Sequence, residues 1–389
     1  MVVDLPAPIR AVVATAPLQE IVRVADYGSR FDGVIPFWYG ESDLRSPDAA
    51  VAAAKQALDA GETRYTVNAG IPDLRAALAE HLSGVHAMPV APARITVTSS
   101  GMSAIATVMQ TLVGPGDNVV LVVPLWPNAD ASVRLQGGEP RRVELRADRE
   151  GRWHLDLDAV FAACDERTRA LFVNSPNNPT GWMATAEELA ALVAFCRERR
   201  IWLIADEVYS RIVYAGKAAP SVLDHAAPDD PVLGVGSFSK SWAMTGWRLG
   251  WLVHPPAIGD VLSNMIQYTT SGAPAFVQHG ALAAVRSGEA KIAEMRKYCA
   301  DGRTRVTEAL GRLNRVRYAE PDAAFYAFFQ VDGEASSMEL AKRLVSEARI
   351  GLAPGTAFDP SCEGWLRLCF AQSPARLGQG LERLVRALA

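Results

Sequence analysis

The stretch RALFVNSPNNPTGWMATAEELAALVAFCRERRIWLIADEVY, residues 169–209, decides the fold class. Two short apolar runs enclose a longer amphipathic segment. That segment begins with a capping residue, Thr185, followed three residues later by Glu188, and its last turn is rich in arginine, as is typical of helices. Strands that are apolar on both faces and are separated by a helix indicate a parallel sheet that is covered on both sides.

The same alternation extends on both sides of this stretch. RITVTSS, GMSAIATVMQTLVG and NVVLVVP follow one another from about residue 95, whereas the chain after residue 290 combines charged helical segments with AFYAFFQVDG and GWLRLCFA. The pattern predicts an α/β protein with a mostly parallel sheet flanked by helices in a large domain, residues 45–288. A smaller α+β domain is expected from residues 1–44 and 289–389.

Length and composition limit the possible partners. A chain of 389 residues exceeds the usual size of one hydrophobic core, and a net charge of −4 gives no reason to expect nucleic acid or an anionic membrane. MVVDLPAPIR, the first ten residues, lacks the basic start and apolar run of a signal peptide, and no segment could span a bilayer. Five scattered cysteines support neither a disulfide framework nor a metal site. We therefore expect a cytoplasmic protein that acts on a small molecule.

Several polar residues stand where strands end. Asp206 closes the run IWLIAD, Asn178 lies in SPNNPTG, and Lys240 lies in SFSKSWAMTGWRLGW, residues 237–251. Open α/β sheets bind ligands at the carboxyl ends of their strands. Taken singly, these residues could be a helix cap, a turn and a solvated charge.

Taken together, the motifs resemble the class I aminotransferases of the fold-type I pyridoxal phosphate enzymes, the aspartate-aminotransferase-like family. From about residue 30 to the C-terminus they run, in family order, GESDLRSP, TRYTVNAGIPDLRAAL, TSSGMSAI, PLW, NSPNNPTG, ADEVY, SFSKSWAMTGWRLGW, APGTAFDP and WLRLCFAQS. The resemblance implies the cofactor pyridoxal 5'-phosphate (PLP). It also implies transfer of an amino group between an L-amino acid and a 2-oxo acid by a ping-pong Schiff-base mechanism.

The resemblance assigns roles around the cofactor ring. Lys240 would form the Schiff base and then act as general base, since only an amine condenses with the aldehyde. Asp206 would keep the ring nitrogen protonated. Asn178 and Tyr209 would contact the phenolic oxygen, and Trp126 would stack on the ring. Lys240, Asp206 and Tyr209 are thus the expected catalytic residues.

The cofactor phosphate needs a group of hydrogen-bond donors. A turn of small residues that opens a helix supplies backbone N–H groups, and Ser100, Gly101 and Met102 form such a turn. Ser237 and Arg248 match the family's side-chain phosphate ligands, and the arginine fork can pair with two oxygens at once.

Substrate recognition is expected from Arg367, which matches the arginine that binds the substrate α-carboxylate. Gly40, Asn178 and Trp38 are further candidates for substrate contact. The aromatics before Gly40 could line a side-chain pocket, or they could belong to the core of an N-terminal strand. No basic residue can be matched to a substrate side-chain carboxylate, which leaves aspartate specificity open.

Tyr65 matches a residue that, in this family, reaches the phosphate of the neighbouring subunit. The resemblance therefore implies a homodimer with shared active sites.

Two further motifs and a related class of enzyme offer other interpretations. Ser237 and Lys240 fit the S-x-x-K spacing of serine-nucleophile enzymes, but the companion S-D-N and K-T-G motifs are missing. Gly234 and Gly236 could begin a dinucleotide-binding loop, but the third glycine is missing. A PLP-dependent carbon-sulfur β-lyase on the same fold would carry the same residues and stays open as an alternative, because a fold does not determine a reaction.

Overall fold

The computed structural model describes residues 7–14, 16 and 18–389. No helix within these ranges is both long and apolar enough to cross a membrane. The helices are α1 (Ala11–Ala14), α2 (Glu20–Gly28), α3 (Asp48–Asp59), α4 (Pro72–Ser83), α5 (Gly101–Leu112), α6 (Asn128–Leu135), α7 (Leu157–Ala162), α8 (Ala186–Arg199), α9 (Gly259–Thr269), α10 (Ala275–Arg286), α11 (Glu289–Leu310), α12 (Ser337–Arg343) and α13 (Pro374–Leu388).

The strands form one large sheet, one smaller sheet and two short pairs. They are β1 (Ile35–Pro36), β2 (Ile95–Thr98), β3 (Asn118–Val123), β4 (Glu139–Glu144), β5 (Arg146–Ala147), β6 (Trp153–His154), β7 (Thr168–Asn174), β8 (Trp202–Asp206), β9 (Val232–Ser237), β10 (Gly250–Val253), β11 (Val316–Arg317), β12 (Tyr326–Val331), β13 (Ile350–Gly351), β14 (Ala353–Pro354) and β15 (Trp365–Cys369).

The large sheet has the order β2-β10-β9-β8-β7-β3-β4. Strand β10 is antiparallel to both of its neighbours, and the other adjacent pairs are parallel. Alternate residues of β3 enter different buried clusters, Val120 and Val122 on one face and Val119 and Leu121 on the other. Burial of both faces explains the continuous apolar runs, and the predicted fold class is confirmed.

The helix that follows β7 begins as its sequence predicts. The Thr185 hydroxyl accepts a hydrogen bond from the Glu188 backbone N–H at 3.1 Å, and the Glu188 carboxylate accepts one from the Thr185 N–H at 2.7 Å. This reciprocal pair satisfies backbone donors that the first turn of α8 would otherwise leave free. The helix ends where Arg200 turns to a left-handed backbone conformation.

The smaller sheet is antiparallel, with the order β11-β12-β15-β14. Strand β1 pairs in parallel with β13, so the N-terminal segment joins this part of the molecule. A separate buried cluster includes side chains from α2, β1, α11, β12, β15 and α13. The domain boundaries at residues 44/45 and 288/289 stay a prediction; residues 1–6, 15 and 17 of the smaller domain lie outside the described residues.

Candidate active site

A cavity of about 480 Å³ opens at the carboxyl ends of the parallel strands, facing the smaller sheet. Elements from both parts of the chain line it. Most of the predicted site residues line this cavity: Gly40, Gly101, Met102, Trp126, Asn178, Asp206, Tyr209, Ser237, Lys240, Arg248 and Arg367. Residues from distant parts of the sequence are thus brought together in one place.

Lys240 extends into the cavity from the turn after β9. Its Nζ donates a hydrogen bond to the Gly40 carbonyl oxygen at 2.6 Å. Burial lowers the pKa of Lys240 to about 8, because the ammonium form loses its hydration, and the Asp206 carboxylate only partly opposes this effect. Lys240 therefore carries a substantial neutral fraction near physiological pH, as an amine nucleophile or base requires.

Asp206 ends β8, and its side chain lines the cavity. Burial raises the pKa of this carboxyl to about 7, while the Val208 backbone N–H, 3.3 Å from Oδ1, and the charge of Lys240 lower it. A carboxylate at such a site gains from a cationic N–H placed beside it. The environment therefore suits a group whose ring nitrogen is protonated.

A chain of amides links Asp206 to Arg367. The Asn174 side-chain amide donates to the Asp206 carbonyl oxygen at 2.9 Å, and the Asn174 side-chain oxygen accepts from the Asn178 N–H at 2.8 Å. The Asn178 side-chain oxygen then accepts from Arg367 at 2.8 Å. Sequence reasoning missed Asn174, although a polar residue at the end of the apolar strand β7 was an available signal.

Arg367 lies on β15 and is completely buried. It donates to the Trp38 carbonyl oxygen as well as to Asn178, and its Nε has no hydrogen-bond partner among the described residues. Within the residues that the structure describes, Arg367 forms no ion pair with a carboxylate. A buried guanidinium without a counter-ion is a ready site for a carboxylate ligand.

Another part of the cavity wall is rich in hydrogen-bond donors. Helix α5 begins at Gly101, and the Ser100 hydroxyl caps it by accepting from the Ser103 N–H at 2.8 Å. Ser237 lies beside Gly101, and both line the cavity together with Arg248. The helix N-terminus, a hydroxyl and a guanidinium together form a site suited to a phosphate dianion.

The start of β10 packs closely against this helix N-terminus. A Cβ added at Gly250 would lie 2.6 Å from the backbone nitrogen of Gly101. Only glycine allows the two segments to approach so closely. The position of the donor groups therefore depends on a residue that does not itself line the cavity.

Tyr209 forms a hydrogen bond with a residue that sequence reasoning missed. Its hydroxyl oxygen lies 2.7 Å from that of Tyr326, and both side chains are buried at the cavity wall. Nothing in the local sequence around Tyr326 indicates this contact, because it depends on how the smaller sheet packs over the larger one.

The remaining predicted residues, Ser100, Trp38 and Tyr65, do not line the cavity. Ser100 is occupied as the cap of α5. The Trp38 indole packs against Gly28 and Gly351, so this aromatic belongs to the core, and only its carbonyl oxygen reaches Arg367. Tyr65 is 92% exposed, and its predicted role across a subunit interface stays a prediction.

Comparison with known proteins identifies aminotransferases by family, by sequence and by structure. Residues 33–384 match the family model described as aminotransferase class I and II. The chain is 34% identical to a probable aspartate/prephenate aminotransferase of Aquifex aeolicus, covering 91% of each chain. It is 31% identical to aromatic-amino-acid aminotransferase 2 of Thermococcus litoralis, covering 95% of each. A crystal structure of the Thermotoga maritima aspartate aminotransferase superposes with a TM-score of 0.91 at 30% identity, covering 98% of this chain and 100% of that one.

Proposed function

The chain belongs to the class I and II aminotransferases and is an amino-group transferase, and from that premise we propose that it works with PLP held at Lys240. The observation that carries the proposal is the convergence of three kinds of group on one cavity. An amine with a lowered pKa, a partly buried carboxylate and a donor-rich helix N-terminus face the same space.

The donor set fits the chemistry of PLP at each end of that molecule. Lys240 would hold the aldehyde carbon, and Asp206 would hold the ring nitrogen. The phosphate would be bound by Ser237, Arg248 and the backbone N–H groups at the start of α5. When bound, PLP supplies an aldehyde that condenses with amines and a protonated ring that withdraws electrons from the substrate Cα.

The protein's own groups then orient the substrate and move its proton. Arg367 binds the α-carboxylate and is itself held by the Asn178 side chain and the Trp38 carbonyl oxygen. This fixes the Cα–H bond within reach of Lys240. With a pKa of about 8, the neutral Lys240 amine can take that proton and return it to a neighbouring carbon.

The ring orientation depends on residues of the larger sheet. Asp206 favours the protonated ring nitrogen because a carboxylate whose pKa is raised by desolvation gains from a nearby positive charge. Tyr209 and Asn178 line the same cavity and are assigned to the phenolic oxygen, while Trp126 is assigned to the ring face. All of these groups stand at or near the carboxyl ends of strands.

The substrates are assigned by class as an L-amino acid and a 2-oxo acid. The relatives quoted above are named for aspartate, prephenate and aromatic amino acids. These aminotransferase names do not favour the alternative, a carbon-sulfur β-lyase. In this chain Met102 and Ile105, one turn apart on α5, contribute apolar wall to the cavity.

The proposed assembly is a homodimer in the cytoplasm. Tyr65 and Val67 are 92% and 60% exposed on one loop, and such a surface is suited to burial against a second copy. All five cysteines are free thiols, which fits a reducing compartment. Sedimentation of the purified protein tests the dimer directly, and a monomer at micromolar concentration would contradict it.

A half-reaction followed by absorbance tests the proposed function. Purified protein is mixed with single amino acids in the absence of a 2-oxo acid. We expect loss of the visible band of bound PLP with a suitable amino acid and its return when a 2-oxo acid is added. Release of ammonia and pyruvate from cystathionine, without this reversible change, would instead indicate the β-lyase.

A further inference from the structure

Tyr326 is a buried cavity residue to which no role has so far been assigned. It is the first residue of β12, it is completely enclosed, and it reaches the cavity from the smaller sheet. In the pairing of β12 with β15, Phe328 stands opposite Arg367. Tyr326 lies two residues before Phe328 on β12, so the two side chains project from the same face of the strand.

The phenol of Tyr326 touches three parts of the site. Its hydroxyl oxygen lies 2.7 Å from that of Tyr209, and the two rings meet nearly edge to face, with centroids 5.6 Å apart. Its ring lies beneath the Arg367 guanidinium, 4.6 Å from centroid to Cζ. Its hydroxyl also fills the space where a Cβ at Gly40 would stand. Gly40 in turn accepts the hydrogen bond from Lys240.

The two phenols share one hydrogen bond, and the geometry allows either hydroxyl to be the donor. Burial raises the pKa of both, so both keep their hydrogens. Each phenol has one O–H, so donation by Tyr326 leaves the Tyr209 hydrogen free for another acceptor.

We propose that Tyr326 is a positioning residue that donates its hydrogen bond to Tyr209 and thereby turns the Tyr209 hydroxyl hydrogen toward the phenolic oxygen of PLP. The inference rests on the proposed function, because the acceptor is the cofactor. A hydrogen bond donated to that oxygen draws electron density from it. It therefore lowers the pKa of the chromophore that PLP forms with Lys240.

Tyr326→Phe tests this role in the holoprotein. The phenyl ring keeps the contact with Arg367, and only the hydroxyl is lost. We expect the pKa of the visible chromophore, titrated without substrate, to rise by about half a unit to one unit. We also expect kcat to fall while KM for the amino acid changes little, because the carboxylate clamp is intact.

Tyr209→Phe and the double variant show whether Tyr326 acts through Tyr209. The Tyr209→Phe shift should have the same direction and be larger, and the double variant should shift no further than Tyr209→Phe alone. Tyr214→Phe is the matched control, since it loses a partly buried phenol hydroxyl that donates to the Ala324 carbonyl oxygen at 2.5 Å, and Tyr214 does not line the cavity. The control should leave the chromophore pKa unchanged.

An unshifted pKa in Tyr326→Phe, or a shift that adds to that of Tyr209→Phe, overturns the inference and leaves the proposed function intact. Wild-type protein without a visible PLP band overturns the proposed function and the inference with it. If Tyr326→Phe does not fold, Gly40→Ala replaces it, because the added Cβ displaces the Tyr326 hydroxyl. An upward shift is again expected, and no shift in folded Gly40→Ala contradicts the inference.

Discussion

The two walls of the cavity are built in different ways. The wall from the larger sheet carries Asp206, Ser237 and Lys240 at or just beyond the ends of neighbouring parallel strands. The wall from the smaller, antiparallel sheet carries Arg367 and Tyr326 within strands, pointing across the gap. We call these the strand-end wall and the clamp wall. The first is suited to holding a cofactor, and the second to holding a substrate carboxylate against it.

Because the two walls differ in this way, binding of the cofactor and binding of the substrate carboxylate are separable. Arg367 is connected to the strand-end wall through the Asn178 and Asn174 amides rather than through a direct ion pair with Asp206. Hydrogen bonds through neutral amides fix the position of Arg367 relative to Asp206 without neutralising the charge of either side chain. Substitutions of Asp206 and of Arg367 should therefore affect different kinetic constants.

The largest effect is expected from Asp206→Asn on the strand-end wall. The amide cannot favour a protonated ring nitrogen as the carboxylate does, so kcat should fall by about 10³-fold, the scale of losing one preorganised electrostatic contact. KM should change much less. Single-turnover absorbance changes with a chosen amino acid measure this. An equal loss in kcat and in amino-acid affinity would show that Asp206 also contributes to substrate binding, so the two tasks are not separable.

The next effect is expected from Arg367→Leu on the clamp wall. Loss of the buried guanidinium should lower kcat/KM by about 10²-fold or more, mainly through KM, because truncating a buried charge pair costs several kcal/mol. PLP content, read from the visible band, should stay at the wild-type level. Arg317→Leu, on the edge strand of the same sheet, is the control and should leave kcat/KM near wild type. Loss of PLP from Arg367→Leu would show that the clamp wall holds the cofactor.

A smaller effect is expected from Gly250→Ala behind the strand-end wall. The added Cβ would meet the backbone of Gly101 and push the start of α5 out of position. We expect PLP to bind about tenfold more weakly, on the scale of a modest packing strain. Gly246→Ala is a matched control because a Cβ there meets no atom within 4 Å. Equal PLP dissociation constants for the two variants would remove Gly250 from the phosphate site.

The smallest effect is the pH dependence of PLP binding to the Lys240 amine of the strand-end wall. Burial lowers the pKa of Lys240 to about 8, so its neutral fraction rises as the pH rises through that value. The rate at which apoprotein recombines with PLP should rise about fivefold from pH 7 to 8 and only about twofold from pH 8 to 9. Stopped-flow absorbance measures this. A tenfold rise over each interval would show an amine with its ordinary pKa.

The sequence predicted the strand-end wall well and the clamp wall only in part. Asp206 and Lys240 could be placed because a parallel sheet brings the carboxyl ends of its strands to one edge, whatever the details of packing. Asn174 was open to the same argument. Arg367 was identified by resemblance to the family rather than by its position along the chain.

Tyr326 and Trp38 could not be placed from the sequence for a physical reason. Each aromatic could face a pocket or a core, and only the packing of the smaller sheet over the larger one decides between these. Trp38 turns to the core between Gly28 and Gly351, whereas Tyr326 turns to the cavity and meets Tyr209. The role predicted for Tyr65 lies across a proposed subunit interface, which a single chain does not contain.

Lys240 is proposed as the amine that holds PLP. The most direct measurement is borohydride reduction of the holoprotein, followed by digestion and peptide mass spectrometry. We expect the reduced cofactor on the peptide that contains Lys240, with no labelled peptide from Lys240→Ala treated in the same way. Labelling of a different lysine in the wild-type protein, or equal labelling of the variant, would contradict the account.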